Sequence, residues 1–303
     1  MAKASLGGRL FAYVMKWRNI KGMFADTART AQIIEQCRQA NATAYVLPAV
    51  KWKSRVERTT VGGMDAVVLT SATPSGQVVW YLHGGAYIFQ ASEFHWQMLD
   101  RLVQASHVTV IASVYPLAPN HQVATVMPAL QAVYQAIVAQ TAPTNVYVAG
   151  DSAGGGLALA LAQELRNQGL PQPAQLWLLS PWLDVAMRNP DAATLEAVDV
   201  VLSSPGLVLA GQHWLGALPA DHAWASPLYG ELQGVAPMAI WVGTNELFLP
   251  DVRQLRARVA PTGGVVHYTE AAGMFHAYPV FPVPEAAQVL QQMCGLLMRR
   301  DAQ

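Results

Sequence analysis

The sequence has few charged residues, only two cysteines and no long uninterrupted apolar run. Charged residues make up 13% of the 303 positions, about half the share usual in soluble domains, whereas hydrophobic residues make up 52%. This balance excludes intrinsic disorder, which requires low hydrophobicity and a high net charge. The 19 basic and 19 acidic residues cancel, so no basic excess exists to neutralise phosphates, and we expect no nucleic-acid partner.

The two cysteines, Cys37 and Cys294, lie far apart, and neither belongs to a CxxC motif or to a metal-type Cys/His spacing. They are too few for a disulfide framework and fit a reducing compartment. We therefore expect a cytoplasmic protein with two inert thiols and no metal site.

Residues 10–20 (LFAYVMKWRNI) are apolar, but Lys16 and Arg18 interrupt them. The run is shorter than the roughly 20 residues of a membrane span, and no clear cleavage site marks a signal peptide. The pattern is typical of an amphipathic helix that covers either the protein's own surface or a membrane interface. We favour the first partner and expect no stable membrane insertion.

Short apolar runs alternate with helix-like stretches along the chain after about residue 78. This alternation predicts an α/β fold with a mostly parallel sheet covered by helices on both faces. A hairpin around Gly62 and Gly63 precedes the alternation. The runs predicted as strands are 78–82, 108–114, 145–149, 176–179, 238–242 and 265–268.

Two parts of the chain depart from the alternation. Residues 1–50 are mostly helical in pattern, and residues 184–237 contain five prolines and no clear strand. The second stretch is too long for an ordinary loop, so we expect an insertion at about 185–225 over the carboxyl end of the sheet. The expected division is an N-terminal helical segment at 1–50 and a main domain at 51–303.

The segment Gly150-Asp151-Ser152-Ala153-Gly154 fits the pattern G-x-S-x-G between a predicted strand and a predicted helix. Small flanking residues permit a sharp turn that presents the serine at a helix N-terminus, where negative charge is stabilised. The alternative is a glycine-rich turn with an incidental serine. The strand and helix on either side favour Ser152 as a nucleophile.

A nucleophilic serine needs a base and an acid, and the order Ser, acid, His along the chain limits the choice. His276 follows the last predicted strand on a loop, which suits a mobile imidazole. For the acid we favour Glu246, three residues beyond Gly243, over Asp251, which is typical of a helix N-terminus. The other histidines after Ser152 lie in the expected insertion or in a strand: His213, His222 and His267.

These motifs occur together in an order that resembles the hormone-sensitive-lipase-like branch of the α/β-hydrolase family. The matching segments are HGGAY at 83–87, YPLAP at 115–119, GDSAGGG at 150–156, SPWLD at 180–184, SPLYGELQG at 226–234, VGTNELFLPD at 242–251 and GMFHAYP at 273–279. The resemblance implies an α/β-hydrolase fold with an eight-stranded, mostly parallel sheet and a helical cap formed partly by the N-terminal segment.

The same resemblance implies the roles of individual residues. Ser152 would be the nucleophile, Glu246 the acid and His276 the base, and the oxyanion would bind N–H groups of Gly84 or Gly85, Ala86 and Ala153. The family often has a third glycine at the position of Ala86, and its usual acid is aspartate.

The resulting hypothesis is a serine carboxylesterase that acts on small, short-chain esters without a metal or organic cofactor, as a monomer or homodimer. One alternative is a binding protein on the same fold, since the fold alone does not imply catalysis. Another is a serine amidase or peptidase, which the same motifs permit.

Overall fold

The computed structural model describes residues 4–298 and contains one eight-stranded sheet. The strand order is β1-β2-β4-β3-β5-β6-β7-β8; β2 is antiparallel to β1 and β4, and the other neighbours are parallel. This confirms the expected mostly parallel α/β sheet. The strands are β1 Arg55–Val61, β2 Met64–Thr70, β3 Val78–Leu82, β4 Thr109–Ser113, β5 Val146–Asp151, β6 Gln175–Leu179, β7 Met238–Gly243 and β8 Val265–Ala271.

Helices cover both faces of the sheet, so the central strands β3, β5, β6 and β7 are buried at every position. In β3, Trp80 and Leu82 belong to one hydrophobic core, whereas Val79 and Tyr81 belong to the other, as the alternation of side chains along a strand requires. The helices are α1 Leu6–Trp17, α2 Thr27–Ala40, α3 Glu93–Ser106, α4 Val123–Val138, α5 Ser152–Asn167, α6 Ser204–Leu215, α7 Leu249–Val259 and α8 Pro284–Met298.

The N-terminal segment and the stretch between β6 and β7 contact each other. Helices α2 and α6 pack together, and the Gly206 N–H of α6 donates to the Phe24 carbonyl at 2.8 Å. A Cβ at position 206 would lie 2.5 Å from Phe24 Cα, so only glycine permits this approach. Lys21 also forms an ion pair with Glu196 at 3.1 Å.

Parallel strands place their carboxyl ends at one edge of the sheet. The chain leaves β3, β5, β7 and β8 at this edge, directly before residues 83–86, Ser152, Glu246 and His276 respectively. The topology therefore brings together segments that are distant in sequence, as is usual for binding sites in α/β sheets.

Candidate active site

Ser152 lies at the junction of β5 and α5 in a left-handed backbone conformation, with φ of 52°. Such a conformation costs a non-glycine residue about 1–2 kcal/mol, and it persists where the surroundings enforce it. The flanking glycines permit the turn, because a Cβ at Gly150 would collide with the Gly154 carbonyl and one at Gly154 with the Leu82 carbonyl. The turn leaves Ser152 on the wall of a cavity, at the first position of α5.

Glu246 and His276 form a buried pair. Glu246 Oε1 lies 3.2 Å from His276 Nδ1, and Glu246 is fully buried. The other carboxylate oxygen, Oε2, accepts hydrogen bonds from the Ser180 hydroxyl at 2.7 Å and the Gly243 N–H at 2.8 Å. Ser180 Oγ also accepts from the Ala277 N–H at 3.1 Å, so one hydroxyl fixes both the carboxylate and the backbone next to the imidazole.

The surroundings of His276 favour its charged form. Burial opposes that form, but the hydrogen bond and negative charge of Glu246, with the charges of Asp199 and Asp151, outweigh it and raise the pKa of His276 above its ordinary value. The Phe248 ring packs perpendicular to the imidazole, with 4.9 Å between ring centroids and planes 88° apart. The imidazole is therefore fixed in place and supported by nearby carboxylates.

Asp251 lies in a different environment from Glu246. Its carboxylate accepts a hydrogen bond from Asn189 Nδ2 at 2.8 Å, and burial raises its pKa to about 6 despite that bond. It belongs to the first turn of α7, as its position in the sequence suggested. Of the two candidate acids, the structure places Glu246 beside His276.

The loop after β3 turns through three consecutive residues with positive φ: Gly85 at 121°, Ala86 at 52° and Tyr87 at 62°. The Gly84 N–H donates to Asp151 Oδ1 at 2.7 Å and is therefore not available for an oxyanion. Of the expected pair Gly84 or Gly85, this leaves Gly85. Gly85 and Ala86 line the same cavity as Ser152.

Sequence reasoning missed the role of Asp151 itself. Its carboxylate accepts from Tyr81 Oη at 2.6 Å and from the Gly84 N–H, and it lies 3.3 Å from His95 Nε2. Burial would raise its pKa, but the charge and hydrogen bond of His95, together with the other donors, lower it to about 2. Asp151 thus ties the loop after β3 to the turn that presents Ser152.

Three further residues of the site were also missed. Ser180 and His95 make the contacts given above, and Asp199 accepts from the Leu202 N–H and the Leu247 N–H at 2.9 Å each. Burial raises the pKa of Asp199 to about 6, against the opposing effects of His276 and these donors. The sequence signals for the three were weak: Ser180 lies in the quoted SPWLD segment, and the other two lie in no motif.

Ser152 and His276 face one cavity of about 270 Å³. This volume is slightly below the range for small-molecule sites, roughly 300–1,000 Å³. Residues of the N-terminal segment and of the stretch between β6 and β7 form part of its walls. Its apolar walls include Met23, Phe24, Phe89, Phe94, Val201, Leu202, Val280 and Phe281.

Buried aromatic rings connect helix α6 to the site. Trp214 of α6 stacks on Tyr87, with centroids 4.3 Å apart, and Tyr87 stacks on Trp182 at 5.6 Å. Trp182 in turn stacks on Phe248 at 5.9 Å, which packs against His276. Tyr87, Trp182 and Trp214 are therefore core residues next to the site.

Residues 4–298 contain no helix that combines the length and the hydropathy of a membrane span. No group of three or more His, Cys, Asp or Glu side chains is arranged to bind a metal ion there.

Known proteins resemble this chain in sequence and in fold. A model of the alpha/beta hydrolase fold matches residues 79–280. The chain is 33% identical to an acetyl-hydrolase of Streptomyces hygroscopicus over 74% of this chain and 76% of that protein. It is 32% identical to an esterase of Acinetobacter venetianus over 80% of each. A solved esterase of the bacterial hormone-sensitive lipase family superposes with a TM-score of 0.78 at 28% identity, covering 91% of this chain and 99% of that one.

Proposed function

Because the chain belongs to the α/β-hydrolase family, we propose that it is a serine carboxylesterase in which Ser152, His276 and Glu246 act as nucleophile, base and acid. The chain is a carboxylic ester hydrolase. The observation that most supports the proposed roles is the buried Glu246–His276 pair, because its imidazole lines the same cavity as the strained Ser152.

In the proposed acylation step, Ser152 Oγ attacks the ester carbonyl while His276 Nε2 accepts the hydroxyl proton. Glu246 accepts the Nδ1–H hydrogen bond, which leaves the lone pair on Nε2 to accept the serine proton and stabilises the imidazolium. The imidazolium then protonates the departing alcohol, and an acyl-enzyme remains on Ser152. In the second step His276 activates a water molecule, and the carboxylic acid leaves.

The negative oxygen of each tetrahedral intermediate needs N–H donors aimed at it. We propose the N–H groups of Gly85, Ala86 and Ala153. Ala153 lies in the first turn of α5, where N–H groups have no partner within the helix. The hydrogen bond from Gly84 to Asp151 fixes the loop that presents the other two.

The cavity supports a substrate with a short acyl group. Its volume of about 270 Å³ and its apolar walls suit acyl chains of about two to six carbons. Each further methylene gains only about 0.8 kcal/mol by burial, and a clash in a packed wall costs more. We also propose a cytoplasmic protein, in agreement with its two free thiols, and a monomer or homodimer.

A covalent-labelling experiment tests the proposed nucleophile. We expect a p-nitrophenyl phosphonate to add one phosphonyl group to Ser152 with stoichiometric release of p-nitrophenol, and Ser152→Ala to prevent labelling. We also expect Ser152→Ala to lower kcat on p-nitrophenyl butyrate by about 10⁴-fold or more while the thermal unfolding curve stays cooperative.

Two results would contradict the proposal. Near-normal turnover by Ser152→Ala would exclude this serine as the nucleophile. An unlabelled, inactive wild-type protein would favour the alternative of a binding protein. A panel of matched esters and anilides separates the esterase from the amidase alternative, since we expect the esters to react much faster.

A further inference from the structure

Helix α1 has an apolar face on each side. Phe11 and Met15 face the protein: the Phe11 ring stacks on Phe275 at 5.7 Å, and Met15 is 7% exposed. The opposite face has no partner within residues 4–298, and its side chains are 38–75% exposed: Leu6, Leu10, Tyr13, Val14 and Trp17. The sequence-based expectation that this helix covers the protein's own surface accounts for only one of its faces.

The exposed residues form a continuous stripe. With 3.6 residues per turn, positions 6, 10, 13, 14 and 17 lie within an arc of about 100°. Within residues 4–298, five of the ten exposed large hydrophobic side chains belong to this single helix of 12 residues. Single exposed apolar residues are common, but a contiguous apolar stripe indicates a site that binds a protein, a membrane or a ligand.

The charge of the N-terminal segment indicates the kind of partner. The first 25 residues contain five basic and no acidic residues, so the rest of this neutral chain has a net charge of −5. On the helix, Arg9 and Lys16 flank one side of the stripe and Arg18 the other. All three are exposed, and none forms an ion pair with another residue in the described part of the chain.

We propose that α1 docks on an anionic lipid surface, with Leu6, Leu10 and Trp17 among the acyl chains. Arg9, Lys16 and Arg18 would then lie at the level of the lipid phosphates. A helix with an apolar stripe between rows of cations, and an aromatic residue near its end, is typical of interfacial binding. A second copy of the chain is a poorer partner, because pairing two α1 stripes would bring two sets of cations together.

Docking would hold the cavity near the lipid. After helix α1 the chain passes through the turn Ile20–Met23, and Met23 and the following Phe24 line the cavity. The Phe11 ring also contacts Phe94 and Phe281, two other lining residues, at 6.4 and 5.4 Å. Docking through α1 would therefore bring the cavity close to esters dissolved in the lipid. The docking itself does not depend on the proposed catalytic roles.

Sedimentation with lipid vesicles tests the proposal. The vesicles contain phosphatidylcholine alone or with roughly one-third phosphatidylglycerol. We expect the wild-type protein to sediment with the anionic vesicles, to remain in solution with the neutral ones, and to be released at about 0.5 M salt. Replacing Arg9, Lys16 and Arg18 by Gln should weaken binding by about fivefold per cation, or about a hundredfold together.

A second variant tests the apolar stripe. We expect Leu10→Asp with Trp17→Asp to abolish sedimentation, whereas Val46→Asp, at an exposed apolar residue outside α1, should bind like wild type. Hydrolysis of p-nitrophenyl butyrate in vesicle-free buffer should be unchanged in every variant, which separates failure of docking from failure of the proposed function.

Three outcomes would overturn the proposal. The wild-type protein could fail to bind anionic vesicles. Alternatively, the variant with Leu10→Asp and Trp17→Asp could bind them as well as the wild type does. The third is a concentration-dependent dimer, seen by size-exclusion chromatography and abolished by the stripe variant, without any vesicle binding. That result would assign the stripe to a second copy of the chain.

Discussion

Replacing Glu246 by glutamine should disable the proposed esterase by reversing the tautomer of His276. The Ser180 hydroxyl and the Gly243 N–H both donate to Glu246 Oε2. A glutamine keeps these two bonds only if its carbonyl oxygen takes that position, and its NH₂ group then faces His276 Nδ1. The imidazole would accept at Nδ1 and hold its proton on Nε2, so it could not take the proton of Ser152.

The magnitude follows from this reversal. The equivalent loss of charge and tautomer in a serine protease triad lowers kcat by about 10⁴-fold. We expect a decrease of about 10³- to 10⁴-fold here, which corresponds to about 4–5 kcal/mol of transition-state stabilisation. KM should change little, because Glu246 is fully buried and does not line the cavity.

Asp251→Asn provides the matched control. Asp251 accepts a hydrogen bond from Asn189, which an asparagine carbonyl can also accept, and its raised pKa of about 6 shows that the fold disfavours its charge. We expect kcat within about threefold of wild type. The assay is steady-state hydrolysis of p-nitrophenyl butyrate, with thermal unfolding of each variant as a check on folding. A large loss of kcat in Asp251→Asn, together with a kcat close to wild type in Glu246→Gln, would refute the reasoning.

Two further predictions concern pH and substrate length. Because the pKa of His276 is raised, kcat/KM should reach half its plateau above pH 6.5 and fall as the imidazole is protonated at lower pH. Asp199→Asn removes a nearby negative charge, so it should lower the pKa of His276 and move the acidic side of the pH profile to lower pH. Asp191→Asn, at an exposed residue, should leave the profile in place. A move of the acidic side to higher pH in Asp199→Asn would contradict the argument. Across p-nitrophenyl esters, kcat/KM should be greatest between about two and six acyl carbons, and faster hydrolysis of a long-chain ester than of the butyrate would contradict the limit set by the cavity.

Much of the fold could be predicted from local patterns. The run at 78–82 coincides with β3, and the hairpin predicted around Gly62 and Gly63 corresponds to β1 and β2. These segments were predictable because apolar runs and glycine turns depend on neighbours in sequence. The α/β-hydrolase resemblance, which is confirmed, depended on motifs whose spacing follows from the fold.

The rest of the site was less predictable because its contacts join distant segments. The sequence could not show that Asp151 occupies the Gly84 N–H, since that bond forms only when β3 and β5 pair in register. Nor could it show that Asp199 is buried near His276, because burial there depends on how the stretch between β6 and β7 folds back. An amphipathic pattern likewise did not reveal which side of α1 remains uncovered.

The aromatic stack from Trp214 to His276 limits how substrates can enter. If α6 swung away like a hinged lid, it would separate Trp214 from Tyr87 and disturb rings that support the imidazole. Each such separation would also expose large apolar surfaces to water. Exchange of ester and product should therefore occur through rotation of smaller, partly exposed side chains that line the cavity, such as Met23 and Val201, while α6 stays in place. The rates at which ester enters and product leaves would then depend on side-chain rotation, which is much faster than the opening of a domain.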